Sequence, residues 1–159
     1  MSFDRSEFRR VLGHWTTGVA VVTTVTGDGR PCGLTANALA SVSLDPPLVL
    51  ACVQHDADTY ACIEESRSFA INVLRADQER IARRFATFEI DRKFEGIAWH
   101  TEATGAPVLD DALAWVDCRV YDSHIAGDHT IYVGEVTAGD AAEGSPLVYY
   151  RSGYGRFLP

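Results

Sequence analysis

The chain has 159 residues, 47% of them hydrophobic and 23% charged, a composition that excludes intrinsic disorder as the default state. Its formal net charge is −8, which argues against binding to nucleic acid or to an anionic membrane, because a basic face supplies most of the affinity for either. The length fits a single domain over residues 1–159. The charged start and the lack of a long apolar run predict a cytoplasmic protein without a signal peptide or membrane span.

The N-terminal segment carries the spacing of an amphipathic helix. Four apolar residues recur at positions i, i+3, i+4 and i+7, namely Phe8, Val11, Leu12 and Trp15. This spacing places all four side chains on one helix face, and Gly18 is predicted to end the helix.

Segments rich in β-branched residues alternate with turn signals through the first half of the chain. Val19 to Val25 predicts a strand, and Gly27-Asp28-Gly29 supplies the positive-φ residues of a tight hairpin turn. Proline cannot donate a hydrogen bond to a sheet, so Asp45-Pro46-Pro47 predicts a break. The further strands predicted in this half are Cys32 to Ala36, Leu48 to Val53 and Phe69 to Leu74.

Two short helices are predicted between these strands, from acidic residues that accept hydrogen bonds at a helix N-terminus. Asp58 is expected to cap a helix that runs to Glu65, and Asp77 is expected to cap a second helix. The second helix should turn three apolar side chains inward, those of Ile81, Ala82 and Phe85.

Beyond Gly105 the pattern becomes one strand after another. The strands predicted there are Ala112 to Tyr121, Thr130 to Ala138 and Leu147 to Tyr150. The chain is therefore predicted to be mostly β with short helices, since the regular βαβ alternation of a doubly wound sheet is missing. Strands joined by hairpins favour a closed or partly closed antiparallel barrel, which removes exposed edges, and a sandwich is the alternative.

The four cysteines show no spacing that is typical of zinc ligation or of a redox CxxC motif. They are Cys32, Cys52, Cys62 and Cys118, and three of them lie in apolar surroundings. Free cysteine is among the most frequently buried residue types, so we expect buried free thiols rather than disulfides or zinc ligands.

Motifs of several common enzyme classes are absent from the sequence. There is no GxSxG, no GxxxxGK and no HExxH, and this disfavours a hydrolase. His124 and His129 form the one close pair of histidines, but no carboxylate or thiol at a suitable spacing completes a recognisable metal set. We therefore expect no metal site.

The segment from Gly33 to Ser43 interleaves small hydroxyl and amide residues with small apolar ones. One interpretation is a strand with a polar outer face, because serine and threonine are common on exposed strands. The other is a ligand-binding segment, because small side chains let the backbone approach a planar ligand while hydroxyl and N–H groups bind an anion. The residues alone leave both interpretations open.

Two later segments also allow a structural and a functional interpretation. Gly127-Asp128-His129-Thr130 opens a predicted strand, where Gly-Asp is a common turn and the histidine is either structural or part of a site. The stretch from Tyr149 to Phe157 is either a terminal strand with a tail or a surface of aromatic rings and arginines that stacks a heteroaromatic ring.

Taken in order, several segments resemble the flavin reductase-like domain family. Thr16 to Thr23 and Gly33 to Val49 resemble the first half of that domain. The remaining landmarks, in the same order, are Phe69 to Leu74, Lys93 to Gly96, Ala112 to Cys118, Gly127 to His129 and Pro146 to Gly155. The resemblance covers nearly the whole chain and implies the FMN-binding split-barrel fold, a Greek-key antiparallel β-barrel with short helices.

The resemblance also implies which residues bind the cofactors. Thr35, Ala36, Asn37 and Ala38 match the segment along the isoalloxazine ring, with Ala38 where many relatives have serine. Ser41, Val42 and Ser43 match the segment near the ribityl phosphate, and Cys52, Val53, Gln54 and Thr59 match a second stretch along the flavin. Lys93, the only lysine of the chain, and Phe94 match the loop over the phosphate end. His129 matches the catalytic element beside the nicotinamide, and Tyr154 matches the C-terminal aromatic region.

Within the family, the likeness is to short NAD(P)H:flavin reductases, the reductase components of two-component flavin-dependent monooxygenases. The resemblance implies that the chain reduces FAD or FMN by hydride transfer from NADH, with NADPH as the alternative donor and FAD slightly preferred over FMN. It further implies a homodimer with the flavin near the subunit interface, and a separate monooxygenase that receives the reduced flavin. A non-catalytic flavin- or haem-binding protein on the same barrel is the alternative.

Overall fold

The computed structural model describes residues 3–87 and 92–158. Its helices are α1 (Arg5–Leu12), α2 (Asp58–Ser66) and α3 (Glu79–Phe85). Its strands are β1 (Thr17–Gly18), β2 (Ala20–Val25), β3 (Pro31–Ala36), β4 (Leu39–Leu44), β5 (Pro47–Gln54), β6 (Ser68–Val73), β7 (Trp99–Thr101), β8 (Pro107–Leu109), β9 (Ala114–Ala126), β10 (His129–Ala141), β11 (Leu147–Tyr150) and β12 (Gly153–Arg156). The strands pair antiparallel, so the prediction of a mostly β chain with short helices is confirmed. None of the described helices is both long enough and apolar enough to cross a membrane.

The main sheet has seven strands in the order β3-β2-β6-β9-β10-β5-β4. Its two edge strands, β3 and β4, are consecutive in the chain and are joined by residues 37–38 alone. The N–H of Cys52 on β5 donates to the carbonyl of Ala38 at 3.0 Å, which extends the pairing into this connection. The sheet is therefore rolled, as the predicted barrel requires, and does not split into the two layers of a sandwich.

Side chains from six strands of the main sheet and from α2 fill the inside of the roll. The largest are Phe69 on β6, Tyr132 on β10 and Ile63 on α2, all fully buried. The Tyr132 hydroxyl donates to Glu64 Oε1 at 2.6 Å, and burial raises the pKa of this phenol, which keeps it protonated. The backbone also packs closely, because a Cβ added to Gly134 would lie 2.5 Å from the Phe69 ring.

A second core cluster lies between the sheet and α3. Ala82 and Phe85 of α3 are buried there, as predicted, whereas Ile81 is half-buried. Leu147 of β11 is buried in the same cluster, and β11 pairs with β1 and β12 in a separate three-stranded sheet. The second cluster thus holds the C-terminal strands beside α3.

The side chain of Asn72 on β6 connects the segment around β8 to the main sheet by hydrogen bonds. Its Nδ2 donates to the carbonyl of Val21 at 3.1 Å and to Thr23 Oγ1 at 3.0 Å. Its Oδ1 accepts a hydrogen bond from the N–H of Leu109 at 2.8 Å. The amide is fully buried, and a buried polar group is costly unless its hydrogen bonds are made.

Helix α1 is shorter at its C-terminal end than predicted, and its apolar face is exposed. It ends at Leu12, with Gly13 as its C-cap, and Gly18 lies in β1. None of its residues is buried: Phe8 is 54% and Leu12 47% exposed, and Trp15, beyond the helix, is 75% exposed. The apolar spacing therefore marks a surface of this chain and not its core.

The predicted caps of the other two helices are wrong. Helix α2 begins at Asp58 itself, with Ala57 as its N-cap, and no side chain caps it. The N-cap of α3 is Gln78, and the Asp77 carboxylate instead pairs with Arg75, 3.1 Å away.

The prediction of free cysteines is wrong for one pair. Cys32 on β3 and Cys62 on α2 form a disulfide, with Cα atoms 6.8 Å apart and a sequence separation of 30. Their contact results from the packing of α2 against β3, and no spacing in the sequence predicts that packing. Cys52 and Cys118 are free, as predicted, and burial raises the pKa of the Cys118 thiol to about 12.

We expect Gly134→Ala to lower the free energy of unfolding by about 1–3 kcal/mol, because the added Cβ would overlap the Phe69 ring and lie 2.8 Å from Cys118 Cβ. Chemical denaturation followed by circular dichroism measures this change. Gly155→Ala is the matched control, since a Cβ there meets nothing within 4 Å, and its effect should stay below about 0.5 kcal/mol. Equal losses in the two variants would contradict the close packing at Gly134.

Candidate functional site

Two cavities meet at the connection between β3 and β4. The larger, of about 740 Å³, lies between α1, β1, β4 and β5 and is lined mainly by apolar side chains. The smaller, of about 300 Å³, lies between β3, the start of α2, the end of α3 and the start of β10. Asn37, Ala38 and Cys52 line both cavities, which therefore form one groove with an apolar half and a polar half.

The smaller cavity brings together most of the residues that the sequence analysis assigned to a flavin site. Those that line it are Thr35, Ala36, Asn37, Ala38, Cys52, Gln54, Lys93 and His129. They come from four separate parts of the chain, and only the rolled sheet and the packing of the helices bring them within one cavity.

The strand before the connection is held tightly against α3. A Cβ added to Gly33 would lie 2.8 Å from the Phe85 ring, so only glycine lets the strand approach this closely. Thr35 Oγ1 donates to a backbone carbonyl of α3 at 2.5 Å. Asn37 and Ala38 follow the end of β3, and both are exposed. The backbone leading to the groove is thus fixed, while the side chains at the connection face open space.

Lys93 is the buried cation of the groove. Only 7% of the residue is exposed, and its Nζ donates to the carbonyl of Gly33 at 3.0 Å. Burial lowers the pKa of this ammonium, and the negative charge of Asp58 opposes that shift. An ammonium has three N–H donors, and within the described part of the chain Lys93 forms this one hydrogen bond and no ion pair. It can therefore donate to an anion in the cavity.

The start of α2 lines the same cavity, through Asp56 and the N-cap Ala57, which precede the helix, and Asp58, its first residue. Ala57 at the N-cap has no side-chain acceptor for the N–H groups of the first turn, and the helix dipole favours an anion there. The carboxylates of Asp56 and Asp58 act in the opposite sense, so attraction of an anion depends on Lys93.

His129 lies on the other side of the smaller cavity. It begins β10, is in register with Gln54 on β5, and has 39% of its side chain exposed. Its Nδ1 lies 2.7 Å from Asp128 Oδ1, and this hydrogen bond lowers the pKa of the Asp128 carboxyl. Gly127, with a φ of 65°, permits the tight turn that precedes the pair. With Nδ1 held in this way, Nε2 is the ring nitrogen that remains for a ligand.

Seven of the predicted residues line neither half of the groove, and five of these lie on β4 or in the core. Ser41, Val42 and Ser43 belong to the edge strand β4, where Val42 occupies a bulge and is 48% exposed. The side chains of Val53 and Thr59 point into the core and are 0% and 1% exposed, so they support the wall of the groove from behind.

Phe94 and Tyr154 lie beside the groove. The Phe94 ring packs against Phe85, with centroids 4.9 Å apart, and thereby anchors the loop that carries Lys93. Tyr154 on β12 lines a separate cavity of about 190 Å³, which shares Asn37 with the two larger cavities. Asn37 therefore borders all three.

Other residues of the groove were not predicted. Phe8, Leu12 and Trp15 line the larger cavity, whereas their spacing had predicted only that they share one face of a helix. Residues 56–58 and 85–87 line the smaller cavity, and they lie at helix ends that carry no sequence motif.

The histidine pair of the sequence analysis does not form a metal site. His124 Nε2 lies 3.2 Å from Asp122 Oδ2, whereas His129 pairs with its own neighbour Asp128. Over residues 3–87 and 92–158 there is no group of three or more histidine, cysteine, aspartate or glutamate residues that could hold a metal ion.

Comparisons with known proteins identify the family. The flavin reductase like domain matches residues 12–158. The reductase component of a 4-nitrophenol 4-monooxygenase/4-nitrocatechol 2-monooxygenase from Rhodococcus opacus is 44% identical over 156 residues, which are 98% of this chain and 83% of the relative. The FMN reductase (NADH) SmoA of Agrobacterium fabrum is 44% identical over 150 residues, which are 94% of this chain and 84% of the relative.

A solved structure agrees with these matches. The NADH:FAD oxidoreductase SgcE6 of Streptomyces globisporus C-1027, in complex with NAD and FAD fragments, has a TM-score of 0.91 and 39% identity, covering 98% of this chain and 94% of the solved one. The predicted fold class is thereby confirmed. The chain belongs to the flavin reductase like domain family.

Proposed function

We propose that the chain is an NAD(P)H:flavin reductase that reduces FAD or FMN by hydride transfer and supplies the reduced flavin to a separate monooxygenase. The observation that carries this proposal is the groove at residues 37–38, where an apolar cavity of about 740 Å³ joins a polar one of about 300 Å³ that contains Lys93 and His129. A flavin has matching chemistry, because its flat and largely apolar ring system is joined to an anionic tail. Membership of the family, and relatives named as reductase components, support the same reaction.

The isoalloxazine ring fits against residues 35–38 and Cys52. Small side chains at Ala36 and Ala38 let a planar ring approach the backbone, and the Asn37 amide can meet polar ring atoms. At Ala38 this chain offers the ring a methyl group and backbone but no hydroxyl. Burial raises the pKa of the Cys52 thiol, which keeps it protonated and uncharged beside the ring.

Lys93 is proposed to hold the anionic part of the flavin. The chain as a whole is strongly acidic and repels anions, so the attraction must come from a local charge. The Lys93 ammonium is buried in the cavity wall, where low polarity strengthens its interaction with a phosphate. It is also the only lysine in the sequence, so no other lysine can replace it.

His129 is proposed to bind and orient the nicotinamide of NADH. In the reaction a hydride passes from nicotinamide to flavin, and the two rings supply the redox chemistry themselves. The task of the protein is to hold the rings in contact at roughly 3–3.5 Å and to exclude water. Asp128 fixes the imidazole through Nδ1, so that His129 acts by position and needs to transfer no proton.

The other flavin-binding residues named from the sequence remain predictions, and the geometry supports some of them more than others. Tyr154 borders the groove through the neighbouring cavity, and Phe94 acts through the placement of Lys93. Ser41 and Ser43 can reach the flavin only if its tail leaves the groove and runs over β4.

We also propose a homodimer that forms through the surface around α1. Phe8 and Trp15 are 54% and 75% exposed, and both line the larger cavity. Exposed apolar surface next to a ligand groove is typical of an interaction site. A second copy on this surface would cover the apolar half of the groove and keep water away from the ring.

NADH oxidation should depend on added FAD or FMN, because the reduced flavin leaves and fresh flavin must replace it. The loss of NADH absorbance, with purified protein and no monooxygenase present, measures the reaction, and repetition with NADPH compares the two donors. Flavin without protein is the control. A protein that binds flavin or haem but does not accelerate NADH oxidation would contradict the proposed function and support the non-catalytic alternative.

Lys93→Met should raise the flavin dissociation constant at least about tenfold, because it removes a charged hydrogen bond to the anion. The unfolding midpoint of the flavin-free protein should stay equal or increase, since burial of an ammonium is unfavourable. Fluorescence titration and thermal unfolding measure the two effects. Arg92→Met is the matched control, because it removes an exposed cation from the neighbouring residue.

The pH dependence of stability tests the burial of Lys93. Unfolding restores the ordinary pKa of 10.5, so the unfolded chain binds this proton more tightly than the folded chain does. Relative to Lys93→Met, the wild type should therefore gain stability as the pH rises from neutral towards 10.5. If Lys93→Met leaves the flavin dissociation constant unchanged, the anionic part of the flavin binds elsewhere, and the binding prediction for Lys93 is wrong.

His129→Ala should raise the KM for NADH or slow flavin reduction about ten- to a hundredfold, the size expected for a positioning contact, while leaving flavin affinity nearly intact. Steady-state kinetics and flavin titration separate the two effects. His124→Ala is the control, since this histidine also pairs with an aspartate near the β9–β10 turn but lies outside the groove. Equal losses of flavin affinity, NADH use and melting temperature would show that His129 has only a structural role.

A further inference from the structure

The disulfide between Cys32 and Cys62 lies in a wall that the flavin groove shares with a third cavity. Both cysteines are nearly buried, 5% and 7% exposed, and both line a cavity of about 240 Å³ together with Arg30 and Phe94. Asp58 lines this cavity and also the polar half of the groove. The sulfur atoms are therefore reached from a different side than the flavin.

The cross-link joins the two elements that surround Lys93. Cys32 directly precedes Gly33, whose carbonyl accepts the hydrogen bond from Lys93 Nζ. Cys62 lies one helical turn after Asp58, the carboxylate that opposes the lowering of the Lys93 pKa. A covalent bond between β3 and α2 thus fixes the strand and the helix that place the groups around the ammonium.

We propose that Cys32 and Cys62 are a reversible thiol–disulfide pair, oxidised by hydrogen peroxide, and that the disulfide form binds flavin more tightly than the dithiol form. The coupling to flavin rests on the proposed function, whereas the oxidation itself does not. The dithiol lets β3 and α2 separate, so the groups around Lys93 are held less firmly. The disulfide restrains them and so lowers the entropy lost when flavin binds.

The chemistry requires one oxidant and balances without a further partner. A thiolate of the pair attacks one oxygen of hydrogen peroxide, which breaks the O–O bond and gives a sulfenic acid and hydroxide. The second thiolate displaces hydroxide from that sulfur, and the S–S bond forms. In sum, two thiols and one hydrogen peroxide give one disulfide and two waters.

The reaction that we propose for the groove can generate this oxidant nearby. Reduced flavin that meets oxygen before it reaches a monooxygenase returns to oxidised flavin and yields hydrogen peroxide. Tighter binding in the disulfide form would then retain flavin whenever its reduced form is being lost to oxygen.

Thiol counting tests the pair without any use of flavin. Protein treated with hydrogen peroxide, then unfolded and alkylated, should show two free thiols, and protein reduced with a phosphine should show four. Peptide mapping should assign the bond to Cys32 and Cys62. Four free thiols after peroxide treatment, or a bond that involves Cys52 or Cys118, would overturn the proposal.

Titration with FMN and with FAD in each redox state tests the coupling. We expect a dissociation constant about fivefold lower for the disulfide form, and by reciprocity flavin should make the bond harder to reduce by the same factor. The double variant Cys32→Ser, Cys62→Ser should bind flavin as weakly as the dithiol form does, and peroxide treatment should not change its dissociation constant. If this variant does not fold, the comparison of phosphine-reduced with peroxide-treated wild type decides the question alone.

The outcomes separate the two proposals. Equal flavin affinity in both redox states, with the bond confirmed by mapping, would overturn the coupling and leave the proposed function intact. Lack of flavin binding in either state would overturn both the coupling and the proposed function, while the thiol count would still report on the oxidation.

Discussion

The two-residue connection between β3 and β4 is the constraint on which the rest of the molecule depends. These strands occupy opposite edges of a seven-stranded antiparallel sheet, yet only Asn37 and Ala38 separate them. The edges of a flat sheet of this size would lie about 28 Å apart, whereas the connection can span about 11 Å at most. The sheet must therefore roll, and the roll is filled by Phe69, which packs directly under the backbone of Gly134.

Closure by such a short connection also explains why the groove lies where it does. At the seam the regular ladder of hydrogen bonds is interrupted, and Asn37 and Ala38 remain exposed. Helices α1, α2 and α3 approach the seam from different sides, so cavities of different character meet there. A chain with a net charge of −8 thereby places one buried ammonium, that of Lys93, in the polar half of the groove without changing its overall field.

Local elements could be predicted from the sequence more completely than contacts between distant segments. Runs of β-branched residues predicted the ends of β2, β5 and β6 to within one residue. Strands β9 and β10 run past their predicted C-terminal ends, because those ends are exposed and lack an apolar pattern. The periodicity of α1 indicated an apolar face but not what that face would meet. Only the resemblance to the family indicated that Lys93 and His129 belong to one site, because the spacing of these residues in the sequence gives no such signal. The contact of Cys32 with Cys62 carried no local signal, since it arises only when α2 packs on β3.

The single lysine has a practical consequence for work with this protein. Of the 14 basic residues, 13 are arginines, so a reagent that acylates lysine amines has one side-chain target, and that target lines the polar half of the groove. The extent of acylation at Lys93 therefore reports how far a bound molecule shields this one position. The other cations need not be masked, because guanidinium groups stay protonated and resist such reagents. Footprinting of this single side chain can thus follow occupancy of the groove for colourless ligands, which flavin fluorescence cannot detect.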